Sequence, residues 1–198
     1  MNRSRVAFMF CMMAVVAALA GCSTTGQPQP TGPVTASTAD SATDDPAAGG
    51  APAVAHSLDA NSILKDPCSA LTTGQLASLG VGGAPAINNT DPSGQGCAWT
   101  AGSLLTVNVG WVPANAHGLS DLYRKQQSMA YWRPTQVDGY PAVFADAAPQ
   151  QDNGCLLNTA VSDHLYFLAG AQGARSNDQA CVLAREAAAD VIKNLEGS

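Results

Sequence analysis

A short apolar run that ends in Leu19-Ala20-Gly21-Cys22 sets the terms on which this chain can fold. Arg3 and Arg5 make a positive N-terminal region, and Val6 to Ala20 carries no charge. The run suits the apolar part of a secretory signal. It is short for a spanning helix, which needs about 20 residues to cross ~30 Å of hydrocarbon. Leu19, Ala20 and Gly21 are the small or apolar residues that a lipoprotein signal peptidase accepts before a cysteine. The reading is a lipoprotein signal peptide over residues 1–21 and lipidation at Cys22. The alternatives are an ordinary signal cut at another small residue, or an uncleaved anchor. On the first reading two acyl chains, at ~0.8 kcal/mol per buried CH₂, hold the protein at the extracytoplasmic face of the cell membrane. The first 21 residues then take no part in the fold, and everything after Cys22 folds where thiols oxidise.

The next stretch has the composition of a tether. Residues 22–58 hold no Lys or Arg and are rich in Ser, Thr, Pro, Ala and Gly, as in Thr31-Gly32-Pro33-Val34-Thr35. Such a segment buries too little apolar surface to offset its ordering entropy, so it is expected to be disordered. Residues 59–198, roughly 140 in number, suit one domain. Loss of Arg3 and Arg5 with the signal leaves seven basic residues against 15 acidic ones, a formal charge of −8 (7 − 15). An acidic domain without a Lys/Arg cluster lacks the electrostatic footprint of a nucleic-acid binder and has no attraction for an anionic lipid surface.

Cysteine usage constrains the domain further. Of six cysteines, Cys11 leaves with the signal and Cys22 is the lipid attachment point. Cys68, Cys97, Cys155 and Cys181 remain, an even number that reads as two disulfides in an oxidising compartment. Four cysteines allow three connectivities. The pairing Cys68–Cys97 with Cys155–Cys181 is favoured, because each bond would join a helix start to a strand in the same half of the domain. A metal site is the rival reading, but there is no Cys-x-x-Cys pair and no His nearby in sequence.

The chain then reads as alternating short elements. Asp66-Pro67 opens a helical turn, and Thr72 or Thr73 caps a second short helix that ends at Gly80. Cys97-Ala98-Trp99-Thr100 is a strand and Gly102-Ser103 a turn; Leu105, Val107, Val109 and Trp111 then form the apolar face of a half-buried strand. Ser120 is expected to cap a helix running to about Met129. Asp138-Gly139 marks a turn between strand-like residues over 136–144, and two strands come next, over 155–161 and 164–169. Ser176 and Gln179 fit a capping box, and Ala180, Ala184, Ala188, Val191, Ile192 and Leu195 recur at helical period. The expected fold is α+β: an antiparallel sheet of about five strands packed with helices and stapled by two disulfides.

Several of these features together resemble the DUF3558 family of actinobacterial envelope lipoproteins. They are the signal and tether, Asp66-Pro67-Cys68-Ser69-Ala70-Leu71, Cys97-Ala98-Trp99, Gly139-Tyr140-Pro141-Ala142-Val143, and Asp178-Gln179-Ala180-Cys181 with Asn194-Leu195. The likeness spans about Ala60 to Leu195. It implies an extracytoplasmic lipoprotein with paired disulfides in an actinomycete, and no particular activity. The order of elements also looks like that of PsbP-like domains, which serve mostly as accessory or binding modules.

Catalytic patterns are weak. There is no Gly-x-Ser-x-Gly elbow, no His-Glu-x-x-His and no Walker-type lysine. Ser162-Asp163-His164 has triad residue types, but adjacent residues on a turn and strand diverge and read as turn chemistry. Asp91-Pro92-Ser93-Gly94 and Asp152-Asn153-Gly154 could suggest calcium, but the closing carboxylate counted from Asp91 would fall on Gly102, and both segments read better as turns. Asn88-Asn89-Thr90 matches a glycosylation pattern that reads as accidental in a bacterial protein. Trp99 and Trp111 lie on strands and are read as core. Tyr131, Trp132 and Arg133 come after the middle helix and are the candidate partner surface, since Trp, Tyr and Arg dominate interface hot spots. The expected function is a non-catalytic binding or accessory module without cofactor or metal. Its partner would be another envelope protein or a wall or lipid component. The alternatives are a secreted hydrolase using His117 or His164, or a carrier of an apolar ligand, which would need a large apolar cavity.

Overall fold

The computed structural model describes residues 50–91, 94–102, 104–151 and 153–197, all within one unit, Ala42–Ser198. The signal segment, Cys22 and the expected tether as far as residue 49 lie outside the described residues, as do Pro92, Ser93, Ser103 and Asp152. The elements run α1 (Asn61–Lys65), a 3-10 turn (Pro67–Ala70), α2 (Thr73–Ser78), β1 (Ala86–Asp91), β2 (Gly94–Ala101), β3 (Leu105–Trp111) and α3 (Leu119–Tyr123). They continue with a 3-10 turn (Gln126–Ser128), β4 (Tyr131–Val137), β5 (Tyr140–Asp146), β6 (Cys155–Ser162), β7 (Leu165–Gln172) and α4 (Asn177–Glu196). The strands form one antiparallel sheet in the order β1-β2-β3-β7-β6-β5-β4.

The α+β class stands, and the count of about five strands is corrected to seven. Both added strands lie at the edges. β1 is built from Ala-Ile-Asn-Asn-Thr-Asp, poor in strand formers, and Ala86 to Thr90 are all exposed. It exists because it pairs along its whole length with β2, from Ala86↔Trp99 to Asp91↔Gly94. β4 contains Pro134, which a strand tolerates only at an edge, where the missing N–H has no partner to lose. The middle helix stops at Tyr123, short of the expected Met129.

One face of the sheet is covered by α4, which crosses β6 and β7. Strand alternation puts Val107, Val109 and Trp111 of β3, Phe167, Ala169 and Ala171 of β7, and Leu157 and Thr159 of β6 on that face. All are essentially inaccessible. The facing side of α4 is Ala180, Ala184, Ala187, Ala188, Val191 and Ile192, each fully buried. Four alanines let the helix backbone settle close to the sheet. The large volumes come from the sheet instead, chiefly Trp111 and Phe167, whose rings lie 5.1 Å apart. The Ser176 side chain caps α4 by accepting from the Gln179 N–H, while Gln179 Oε1 accepts from Arg175 N rather than closing onto the cap residue itself.

The disulfides match the favoured pairing. Cys68 in the first 3-10 turn is bonded to Cys97 of β2, and Cys155 at the start of β6 to Cys181 in the first turns of α4. Their sequence separations of 29 and 26 correspond to roughly 3–4 kcal/mol each in the chain-entropy account. A side-chain relay adds to the first: Asn194 of α4 donates to Ala70 O and Gln75 Oε1, and Gln75 Nε2 donates to Asn194 Oδ1. The turn Asp138-Gly139 joins β4 to β5 with both residues at positive φ, 49° and 88°, the left-handed pair that a two-residue hairpin needs.

The opposite face is covered over only part of its width. Residues 51–58, inside the stretch expected as tether, pack there: Ala51 N–H donates to Ser120 Oγ, Val54 N–H to Asp163 Oδ1 and Leu58 N–H to Val161 O. α3 lies beside them, with Leu119 buried. Over β1, β2 and β3 nothing among the described residues forms a second layer. The close seat of α4 predicts that Ala184→Leu, which forces the helix off the sheet, lowers stability by about 1–3 kcal/mol in urea unfolding. Replacing Cys155 and Cys181 together by Ala should lower it by about 3 kcal/mol.

Candidate functional site

The residues singled out by sequence fall in separate places. Trp99 and Trp111 are core, 2% and 1% exposed. Tyr131, Trp132 and Arg133 open β4 and do not share one surface. The Trp132 ring meets Tyr123 edge-on, with centroids 4.8 Å apart. Arg133 lies 5.2 Å over the Phe144 ring and its Nη2 points at Cys181 Sγ, 3.2 Å away. The Tyr131 hydroxyl accepts from Leu156 N–H at 3.3 Å, and burial raises its pKa, which keeps it a neutral group.

The histidines stand apart. His117 belongs to an exposed cluster with Asp121 and Arg124. The His117 backbone N–H, ahead of its ring and the Arg124 guanidinium, holds the Asp121 carboxyl below the usual carboxylate range. His164 Nδ1 meets Ala116 O at 3.1 Å, and its N–H donates to Ser162 Oγ. Asp163 turns its carboxylate to Val54 N–H at 2.9 Å. Ser162, Asp163 and His164 therefore brace a turn and pin residues 51–58; their side chains do not converge. The calcium reading of Asp91-Pro92-Ser93 and Asp152 falls on side chains outside the described ones. Among the described residues no three His, Cys, Asp or Glu side chains gather as for a metal ion. No described helix is long and apolar enough to cross a membrane.

The uncovered part of the sheet carries a cleft of about 510 Å³, within the 300–1,000 Å³ usual for ligand sites. Its floor is the outward side of β2, β3 and β7: Ala98, Thr106, Asn108, Gly170 and Gln172, with Asn89 of β1 at one end. Asp146, Gln150, Gln151 and Gly154, between the end of β5 and the start of β6, form the wall, and Tyr131 closes the corner. A shallower hollow of about 210 Å³ continues from Asn89 and Asn108 over Gly96 and Gly110.

Two features shape this floor. Asn108 stands directly opposite Gly170 in the β3–β7 register, and its carboxamide lies over that glycine. A Cβ at residue 170 would come within 2.5 Å of Asn108 Oδ1. The wall is braced from behind, since Gln150 Nε2 reaches Gly154 O and Cys181 Sγ, each at 3.5 Å, beside the Cys155–Cys181 bond. Sequence reasoning passed over the cleft. Its amides are the polar half of alternating strands, which reads as an ordinary solvated face.

Against this geometry, the family model described as a protein of unknown function, DUF3558, matches residues 17–194. The chain belongs to the DUF3558 family. No curated protein and no solved structure matches it. The matched span takes in every strand and nearly all of α4, so the cleft and both disulfides lie on the portion that defines the family. The assignment of the Ser162-Asp163-His164 turn to structure predicts that Asp163→Ala costs about 1 kcal/mol in thermal unfolding. It should also speed hydrogen exchange at the Val54 amide, with exchange across β6 and β7 unchanged.

Proposed function

We propose that the protein is a lipid-anchored lipoprotein of an actinobacterial cell envelope that acts as a non-catalytic binding or accessory module. Residues 1–21 are removed, acyl chains on Cys22 hold the chain to the outer face of the cell membrane, and the domain presents its open cleft to the envelope. The observation that carries this reading is the pairing of all four domain cysteines, Cys68 with Cys97 and Cys155 with Cys181. Such bonds persist in oxidising compartments and are rare in the cytosol. They agree in that respect with the apolar run and Leu19-Ala20-Gly21-Cys22 at the N-terminus.

The module reading is supported by the way the side chains are used. Each candidate catalytic group is engaged elsewhere or exposed apart from the others, whereas the cleft combines a preformed wall with a polar floor. The acidic surface argues against nucleic acid as partner. The partner lies among wall components, lipids or other envelope proteins.

Cell fractionation tests the anchoring. Wild-type protein should sediment with membranes, and its N-terminal peptide should carry a diacylglycerol mass on Cys22. The Cys22→Ala protein should keep its signal segment or appear in the soluble fraction. A wild-type N-terminal peptide with an unmodified Cys22, or a Cys22→Ala protein processed and retained like wild type, overturns the reading.

A further inference from the structure

The cleft holds a set of side chains whose chemistry narrows its ligand. Asn89, Asn108, Gln151 and Gln172 all line it, and none makes a side-chain hydrogen bond with a described residue. Each carboxamide offers one acceptor oxygen and two N–H donors. Asn108 is the most telling of the four. It is partly buried in the middle of a strand, flanked along β3 by Thr106 and Gly110, with Ala98 and Gly170 as its cross-strand neighbours. A position of that kind ordinarily takes a β-branched or aromatic residue. A polar group held there without a protein partner is stabilised only when water or a ligand satisfies it.

Charge limits the choice further. Among the described residues lining the cleft there is no Lys, Arg or His. The strongest contacts to phosphate, sulfate or carboxylate are charge-assisted bonds from such cations, so their absence disfavours an anionic ligand. The lining carboxylate, Asp146, has Oδ1 occupied by the Ala148 N–H at 2.9 Å. Apolar lining is limited to small or single groups such as Ala98, Pro149 and Leu156, too little for an acyl chain. Peptides are commonly taken by strand addition at a sheet edge or by apolar side-chain pockets. This cleft lies over the face of the sheet and has no deep apolar pocket.

We infer that the cleft is a binding site for a neutral, hydroxyl-rich ligand, namely a carbohydrate chain gripped by Asn89, Asn108, Gln151 and Gln172. Sugar hydroxyls both donate and accept, as carboxamides do, so one planar amide can bridge two adjacent hydroxyls. Tyr131 adds a partly buried aromatic side chain at the corner, and its hydroxyl, fixed to Leu156 N–H, holds it in place. The Gln150 and Cys155–Cys181 bracing keeps the wall formed before the ligand arrives, which reduces the ordering cost of binding. The inference rests on the binding-module reading and supplies its ligand class.

The test uses the mature lipoprotein extracted from membranes in detergent and labelled with ¹⁵N. It is titrated with maltotriose, cellotriose, mannotriose, chitotriose and the neutral oligosaccharide fraction of the producing organism's envelope. Concentrations reach about 10 mM, where a Kd of 1 mM gives near saturation. At least one of these is expected to shift the side-chain amides of Asn108 and Gln172 and the backbone amide of Gly170. Asn108→Leu and Gln172→Leu, two separate variants checked for unchanged circular dichroism, should each weaken that binding at least about tenfold. Sulfated dextran should leave the same signals in place. The inference falls if none of the sugars moves these signals, if both leucine variants bind like wild type, or if sulfated dextran binds more tightly. Displacement of the same signals by an Ala/Gly-rich peptide, with no response to sugars, would overturn the carbohydrate class while leaving the module reading intact. Loss of Cys22 lipidation would remove the anchoring and leave the titration unaffected, so the two failures are separable.

Discussion

The close seat of α4 on β6 and β7 is the contact on which the rest of the domain depends. Four alanines on the helix face allow the approach, and Trp111, Phe167 and Leu157 on the sheet fill the space beneath. Because this one helix covers the centre of the sheet, the outer strands β1 and β4 can be short of apolar residues and still hold their register. The disulfides act at the margins of the same layer. Cys155–Cys181 fastens the start of α4 to β6, and Cys68–Cys97 fastens the first 3-10 turn to β2. A small domain with a single buried helix gains more from such links than a larger one would, because its core supplies less reserve.

Concentrating the helical cover on one side leaves the other side free for a different task. The half of the second face over β5 and β6 is closed by residues 51–58 and α3, and the half over β1 to β3 stays open. The binding surface is thus the part of a rigid sheet that no other element needs. Its floor is as fixed as the core beneath it, since every residue of β3 that faces the cleft alternates with one packed toward α4.

Parts of this were legible in the residues. α4 announced itself through Ser176 and a long apolar period, the β4–β5 turn through Asp138-Gly139, and the core tryptophans through strand alternation. The cysteine connectivity came from pairing within each half. Other parts were not legible. β1 has no pattern of its own and is strand only because β2 lies beside it. Tyr131 to Pro134 read as a surface segment after the middle helix; their place in strand β4, with Pro134 in it, follows from the edge position in the sheet. Residues 51–58 were assigned to the tether by composition, yet three backbone N–H groups find acceptors on the domain, a tertiary effect that composition does not register. The cleft was hidden because its amides come from four separated segments that only the sheet order brings together.

The attachment of residues 51–58 has a mechanical consequence. Any pull arriving along the chain from upstream meets Ala51 on Ser120 of α3 first, and then Val54 on Asp163 and Leu58 on Val161 at the β6–β7 hairpin. β7 is the central strand of the sheet and β6 its neighbour, and both lie under α4, so traction that passes α3 spreads sideways through the ladder. Neither border strand would be peeled away first, and the cleft would keep its shape while the body it sits on is tugged.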